Sequence, residues 1–206
     1  MKICICNLQK RAGLASELID RYNPDMMLCQ EINLCSERDN FNGPNSANST
    51  SRMGYGTAIY SSANSPLVDV KAILSPYAEF GGIIQKKTTL ATVEGMQYVS
   101  FHGYNGQPFK SVQKLVAHVD AVLSAMTLTS PAVFAGDFNT WTEEHLNAVK
   151  MRLQDAGFSL AYSWPYPGRE FPLDHAFVRR FRLQGSSYFT CASDHQGAIL
   201  ELDVID

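Results

Sequence analysis

Five polar residues stand at or beside the ends of apolar runs, where strand burial does not call for them: Asn7, Glu31, His102, Asp137 and Asp194. Side chains that project from strand ends gather at one rim of a sheet, where ligand sites of α/β proteins commonly lie. A carboxylate such as Glu31 offers hard oxygen to Mg²⁺ or Mn²⁺. A histidine there moves protons near neutral pH. Taken singly these residues have plainer duties: an Asn after a strand forms turns, an Asp caps a helix or makes an Asx turn, and a His is a satisfied partner. Their recurrence at the same place in successive elements is what points to a site.

The elements that must carry them can be read from periodicity. Residues 2–7 alternate Ile and Cys as a short strand, and 11–22 place Leu14, Leu18 and Ile19 at helical spacing until Asn23-Pro24. Residues 26–31 form a buried, parallel strand, which completes a β-α-β opening. Polar residues 33–54 read as a long connection of the binding-loop type. Strand-like runs at 55–60, 67–74, 82–86, 88–93 and 96–102 follow in an antiparallel rhythm. An apolar stripe over 112–128 predicts a helix. Residues 132–135 predict a buried strand delivering Gly136 and Asp137, and 142–158 a helix with Thr142 as its cap. Late strands are predicted at 173–178, 181–190 and 197–204. Strands predominate in both halves, with a helix-bearing crossover in each. The expected fold class is α/β (α+β): two mixed β-sheets packed face to face as a sandwich with helices on the outer faces, in a single domain over residues 1–206.

Composition narrows the classes further. The 206 residues are 45% hydrophobic and 11% aromatic, enough to fill a core and to exclude wholesale disorder. No apolar run approaches the roughly 20 residues of a membrane-spanning helix, so no membrane partner is expected. Strand pattern begins directly after Met1, without a signal-peptide pattern, which predicts a cytoplasmic address. A net charge of −3 argues against broad adhesion to nucleic acid or anionic lipid. It does not exclude a nuclease, because a cation site concentrates carboxylates. Cys4, Cys6, Cys29, Cys35 and Cys191 are odd in number and lie mostly in apolar runs, so reduced core thiols are expected rather than disulfides or zinc ligands.

Gln30-Glu31, Phe101-His102, Gly136-Asp137-Phe138-Asn139, Leu173-Asp174-His175 and Ser193-Asp194-His195 occur in an order and approximate spacing that resembles the endonuclease/exonuclease/phosphatase superfamily. The resemblance spans Asn7 to Val204. Gly-Asp-Phe-Asn alone recurs by chance, whereas its combination with the flanking Gln-Glu and Ser-Asp-His is specific. The Gly-Asp-Phe-Asn-Thr-Trp and Leu-Asp-His signatures are most similar to a bacterial branch that carries no agreed substrate.

The resemblance implies the deoxyribonuclease I-like four-layer fold and hydrolysis of a phosphate ester. Such chemistry needs a cation on the phosphoryl oxygens, an in-line water, a base and help for the leaving oxygen. It implies Mg²⁺ (or Mn²⁺) at Glu31, with Asn7 and Asp194 completing or bordering the metal site. Asp174 would hold His195 in the tautomer that accepts a proton from water. Asp137 and Asn139, two apart on an extended segment, would point the same way, Asp137 orienting the water and Asn139 donating to a phosphate oxygen. His102 resembles the histidine that deoxyribonuclease I and the sphingomyelinases set across the phosphate.

Two departures stand out. Deoxyribonuclease I pairs the histidine matching His102 with a glutamate, but strand 55–60 offers no acid and Glu79 is a poor substitute. The chain is also short, without obvious counterparts of the loops that abasic-site enzymes drive into DNA. For substrate contact, Trp141 and Arg38 are the first candidates, since aromatics beside a phosphate site stack bases. Tyr162, Trp164, Tyr166 and Phe171 crowd a Pro-rich stretch with equal claims on stacking and on the core. Arg52, Lys86-Lys87 and Arg179-Arg180 with Arg182 are further basic candidates. The expected activity is metal-dependent hydrolysis of nucleic acid, DNA ahead of RNA, by a monomer. The alternatives are a small phosphoester, such as a phospholipid head group or inositol phosphate, and a catalytically inactive binding member.

Overall fold

The computed structural model describes residues 1–37, 41, 43–51, 54–62, 66–79, 81–106 and 110–205. Two six-stranded mixed sheets carry three α-helices. Strands β1 (Lys2–Asn7), β2 (Met26–Asn33), β3 (Ser46–Thr50), β4 (Tyr55–Ser61), β11 (Phe181–Phe189) and β12 (Gly197–Val204) form one sheet, in the order β11-β12-β1-β2-β4-β3. Strands β5 (Val68–Glu79), β6 (Ile84–Val93), β7 (Met96–His102), β8 (Ala132–Asp137), β9 (Ser159–Trp164) and β10 (Asp174–Arg179) form the other, in the order β5-β6-β7-β8-β10-β9. Each sheet holds one parallel pair, β1 with β2 and β7 with β8, bridged by α1 (Leu14–Tyr22) and α2 (Val112–Ala125).

The period of two in the strands builds the layers. Along β1, Ile3 and Ile5 enter the core between the sheets, with Leu28, Tyr98, Val133 and Ala176, while Cys4 and Cys6 face the outer cluster under α1. Along β8, Val133 and Ala135 point inward, while Phe134 joins the cluster under α2 and α3 (Glu143–Asp155). The four layers follow from that alternation. Cys4, Cys6 and Cys29 are buried and every cysteine is free, as expected; Cys35 is exposed and Cys191 half-buried.

Helix ends follow local chemistry. Predicted from residue 11, α1 begins at Leu14, because the buried Glu37 carboxylate accepts from Ala15 N (3.2 Å) and Ser16 N (3.1 Å) and so supplies the missing cap. Predicted to 128, α2 ends at Ala125. Thr142 caps α3 as predicted, accepting from His145 N at 3.3 Å.

Three strand readings need correction. The polar stretch 33–54 is more than a loop, since Ser46–Thr50 pairs with β4 as an edge strand that polar residues suit. The runs expected at 82–86 and 88–93 merge into one strand, β6, from Ile84 to Val93, with the Lys86-Lys87 pair interrupting its pattern. The Pro-rich aromatic stretch begins with β9, whose Trp164 is fully buried in the inter-sheet core and donates Nε1–H to Gln196 O at 2.9 Å. Among the described residues no helix is long and apolar enough to cross a membrane.

Candidate active site

Register brings the predicted residues together. β8 runs between β7 and β10, and Asp137 is the register partner of His102 on one side and Asp174 on the other. Three strand ends thus place three reactive side chains in a row. On the facing sheet, Asn7 is the partner of Gln30, and its Nδ2 donates to Asp137 Oδ2 at 3.1 Å, joining the sheets at the rim. Behind it, Gln30 Nε2 reaches Ser100 Oγ at 2.9 Å across the same gap. Gly136 makes room for this contact: a Cβ there would lie 2.2 Å from Phe101 O and 2.7 Å from Gln30 Nε2, at a φ of +139°.

Glu31 enters by a different device. The pairing of β2 with β4 slips between Gln30 and Ile32, and Glu31 sits in that bulge with φ +49°. A bulge re-aims a side chain that regular pleating would send elsewhere. Glu31 Oε2 meets Lys10 Nζ at 3.3 Å, and Oε1 stands 3.8 Å from His102 Nε2.

The dyad expected of His195 and Asp174 is present. His195 Nδ1 lies 2.8 Å from Asp174 Oδ2, which leaves Nε2 facing Asp137 Oδ2 at 3.8 Å. Asp174 is fully buried, and burial raises its pKa against the opposing pull of His195. For His195 burial pulls down, but Asp174, Asp137 and Asp194 outweigh it and push the ring up to about 9. The ring is also walled by Tyr166, whose centroid is 4.7 Å away, edge to face. Ser193 fixes this loop by donating Oγ–H to Asn7 O at 2.7 Å, and exposed Asp194 lines the cleft beside it.

Asp137 and Asn139 do share the cleft, though not on an extended segment. Asn139 has φ +55°, and its N–H donates to Asp137 Oδ1 at 2.9 Å, an Asx turn that holds the carboxylate. Its Nδ2 donates to Gly103 O at 3.0 Å. One amide hydrogen of Asn139 is therefore committed to structure.

His102 Nε2 faces Asp137 Oδ2 at 3.5 Å as well as Glu31, and it has a lysine against it. Lys86 Nζ contacts His102 Nε2, and burial and that ammonium hold the imidazole well below its ordinary pKa. Glu79 is occupied elsewhere, accepting from Asn105 N at 2.5 Å and Gly106 N at 3.4 Å. Trp141 lines the cleft with Lys110 Nζ 3.5 Å and Arg169 Cζ 3.9 Å from its ring centroid. Asn105 Oδ1 accepts from Trp141 Nε1 at 2.8 Å and from Lys110 Nζ. Lys110 and Arg169 were not among the sequence candidates. Arg38 and Arg52 lie outside the described residues. Arg179 is withdrawn as a phosphate ligand: it is buried and donates to Ser130 O, Ala156 O and Thr127 O, stitching the far end of the sheet.

One ligand atom from each of Asp137, Asp174 and His195 lies within 4.8 Å of the others, a buried cluster consistent with a divalent metal. Among the described residues, Asp174 Oδ1 is buried without a hydrogen-bond partner. The sequence profile described as the Endonuclease/Exonuclease/phosphatase family matches residues 6–195, which contain every residue of this cleft. The chain belongs to that family. A UPF0294 protein of Vibrio vulnificus is 38% identical over 90 residues, covering 41% of this chain and 32% of its own. A UPF0294 protein of Vibrio campbellii is 28% identical over 200 residues, 89% of this chain and 70% of its own. The match to the Vibrio vulnificus protein thus spans about a third of that relative's length. An endonuclease/exonuclease/phosphatase from Beutenbergia cavernae superposes with a TM-score of 0.76 at 15% identity, over 100% of this chain and 72% of its own. A mannosyl-6-phosphatase of Bacteroides thetaiotaomicron (TM-score 0.69, 14%, 98% and 99% covered) and D. rerio TDP2 complexed with single strand DNA product (0.69, 14%, 99% and 99%) share the fold. Proteins named for different substrates thus share this fold.

Proposed function

We propose that the protein is a divalent-metal-dependent phosphodiesterase acting on nucleic acid, by in-line attack of water without a covalent intermediate. The observation that carries the polymer reading is Trp141, held beside the cleft between Asn105, Lys110 and Arg169. An aromatic face with two cations suits a base and its neighbouring phosphates, stacking alone contributing roughly 1–3 kcal/mol per base.

The donor chemistry fits Mg²⁺ or Mn²⁺: Glu31 supplies carboxylate oxygen at the rim, with Asn7 and Asp194 bordering it. A divalent cation there supplies charge neutralisation at the phosphoryl oxygens. His195 Nε2 accepts the proton of the attacking water, and the Asp174 hydrogen bond at Nδ1 keeps that nitrogen free to do so. Asp137, clamped by Asn7 and by Asn139 N–H, orients the water against Nε2. Asn139 offers its second amide hydrogen to a phosphoryl oxygen.

The test is a gel assay on supercoiled plasmid, linear duplex, single-stranded DNA and RNA, with Mg²⁺ or Mn²⁺ and with chelator, beside His195→Ala. Cleavage that needs metal and is lost in the variant is the expected result. No cleavage of any polymer, with a generic phosphodiester still hydrolysed, would replace nucleic acid by a small phosphoester.

A further inference from the structure

Lys86 is the one lysine or arginine among the described residues lining the catalytic cleft, and it also lines the adjoining pocket beyond His102. Its ammonium is fixed against His102 Nε2. While Nε2 accepts from the Lys86 ammonium it cannot donate to a departing oxygen. The cleft therefore sets a cation against the His102 ring.

Its position across the sheet matters more than its charge. The strand order β6-β7-β8-β10 sets Lys86, His102, Asp137 and Asp174 in sequence, and His195 hangs on Asp174. His102 Nε2 stands 3.5 Å and His195 Nε2 3.8 Å from the shared Asp137 Oδ2. In-line displacement requires the attacking and leaving oxygens on opposite sides of phosphorus. With the base on the β10 side, the leaving oxygen belongs on the β6 side.

The geometry points to Lys86 as a further catalytic residue, the cation that meets the negative charge developing on the leaving oxygen, with His102 as the residue that positions it. In the step, the water oxygen bonds to phosphorus and its proton passes to His195 Nε2. The bond from phosphorus to the leaving oxygen breaks, and its electron pair stays on that oxygen beside the Lys86 ammonium. Solvent then protonates the released group. The stabilisation is electrostatic, of the kind a preorganised donor supplies at developing charge. Lys86 thus adds a leaving-group role to a cleft whose other residues act on water and phosphate.

This inference rests on the phosphoester chemistry proposed above and not on the polymer, so its test uses aryl esters, as diesters and as monoesters. Rates are compared for p-nitrophenol and for phenol as leaving group, in wild type, Lys86→Met, Lys86→Gln and Lys86→Arg. Thermal unfolding of each variant identifies those that fold. The poorer leaving group carries more charge at the bond-breaking oxygen. A folded Met or Gln variant should lose about 10-fold with p-nitrophenyl and at least about 100-fold with phenyl ester, mostly in kcat. Lys86→Arg, which keeps the charge, should stay within about 10-fold of wild type. A charge-compensating role would cost both esters equally, and that result, or a loss confined to KM, would overturn the assignment. Wild-type inactivity on every aryl ester would remove the phosphoester reading and this one with it, whereas normal turnover without leaving-group dependence would remove this one alone.

Discussion

His195 Nδ1 and Asp174 Oδ2 lie 2.8 Å apart, with the carboxylate wholly buried and the ring's other nitrogen turned to Asp137. The proposed base and its orienting acid come from separate elements, a C-terminal loop and the start of β10. Asp174 has the largest raising influence on His195 among its neighbours. A raised pKa means that the neutral, proton-accepting ring is scarce below that value, so activity falls as pH drops through it. Asp174→Asn should therefore move the acid limb of kcat/KM to lower pH at fixed saturating metal. It should also lower the plateau by at least about 100-fold, because the tautomer is no longer fixed. His195→Ala and Asp137→Ala should each lose at least about 100-fold. A pH-rate profile measures all three, and an unmoved limb in Asp174→Asn would separate the two residues functionally.

Glu31 stands apart from the row of His102, Asp137 and Asp174 because a bulge delivers it from the other sheet. In the proposed site this carboxylate is the cation ligand. Chelation should abolish hydrolysis. Glu31→Gln should raise the half-saturating Mg²⁺ or Mn²⁺ concentration by about 10-fold or more while leaving the substrate KM within about threefold, since a neutral amide is a weaker ligand for a hard cation. Metal titration of the hydrolysis rate checks this, and an unchanged curve would take Glu31 out of the metal site.

Much of this arrangement could be read from the chain alone, for identifiable reasons. Strict alternation in Ile3-Cys4-Ile5-Cys6 assigns two faces, and the structure uses both. Asn7, His102, Asp137 and Asp174 end or begin strands, and strand ends converge once register is set. What escaped depends on relations that composition does not encode. The bulge at Glu31 shows only in the pairing, β9 was masked by its aromatics and the prolines that follow it, and β3 by its polar edge residues. Lys86 was legible only as one basic candidate beside Lys87, because the inward use of a lysine is decided by the neighbouring strand. Lys110 and Arg169 flank Trp141 from remote positions in sequence, a contact no spacing reveals.

Gly136 precedes the central carboxylate, and its backbone leaves no room for a side chain. A methyl group there would meet both Phe101 O and the Gln30 amide that bridges the sheets. Gly136→Ala should lower stability by at least about 2 kcal/mol, combining strained φ with displaced strands. It should also reduce activity in the fraction that folds, because His102 and Asp137 are partners across this contact. Denaturant unfolding and residual rate measure the two effects. A stable, fully active variant would show that the rim tolerates a wider gap than the geometry allows.

Two buried histidines, His118 and His175, provide a stability test of the fold. His118, under β6 and β7, contacts Thr88 Oγ1 through Nε2 (3.2 Å) and packs against Phe101; burial chiefly, with Lys86 adding to it, pulls its pKa to about 3. His175 is held between Thr140 Oγ1 (2.6 Å) and Ser163 Oγ (2.7 Å), and burial likewise pulls it to about 3. The unfolded rings protonate near pH 6.5. Between pH 6.5 and about 3 the unfolded chain thus binds the extra proton, and stability falls as pH falls. Each ring contributes a slope of about 1.4 kcal/mol per pH unit in that window, and none above it. Asp174 and His195 are raised and act with the opposite sign, so the informative quantity is the difference between variant and wild type. Against wild type, His118→Gln should be less stable at pH 7.5 by a fixed amount and should regain about 1.4 kcal/mol per unit as pH drops from 6 to 4.5. Urea unfolding across that range measures it, and a pH-independent difference would mean that His118 is protonated in the folded protein.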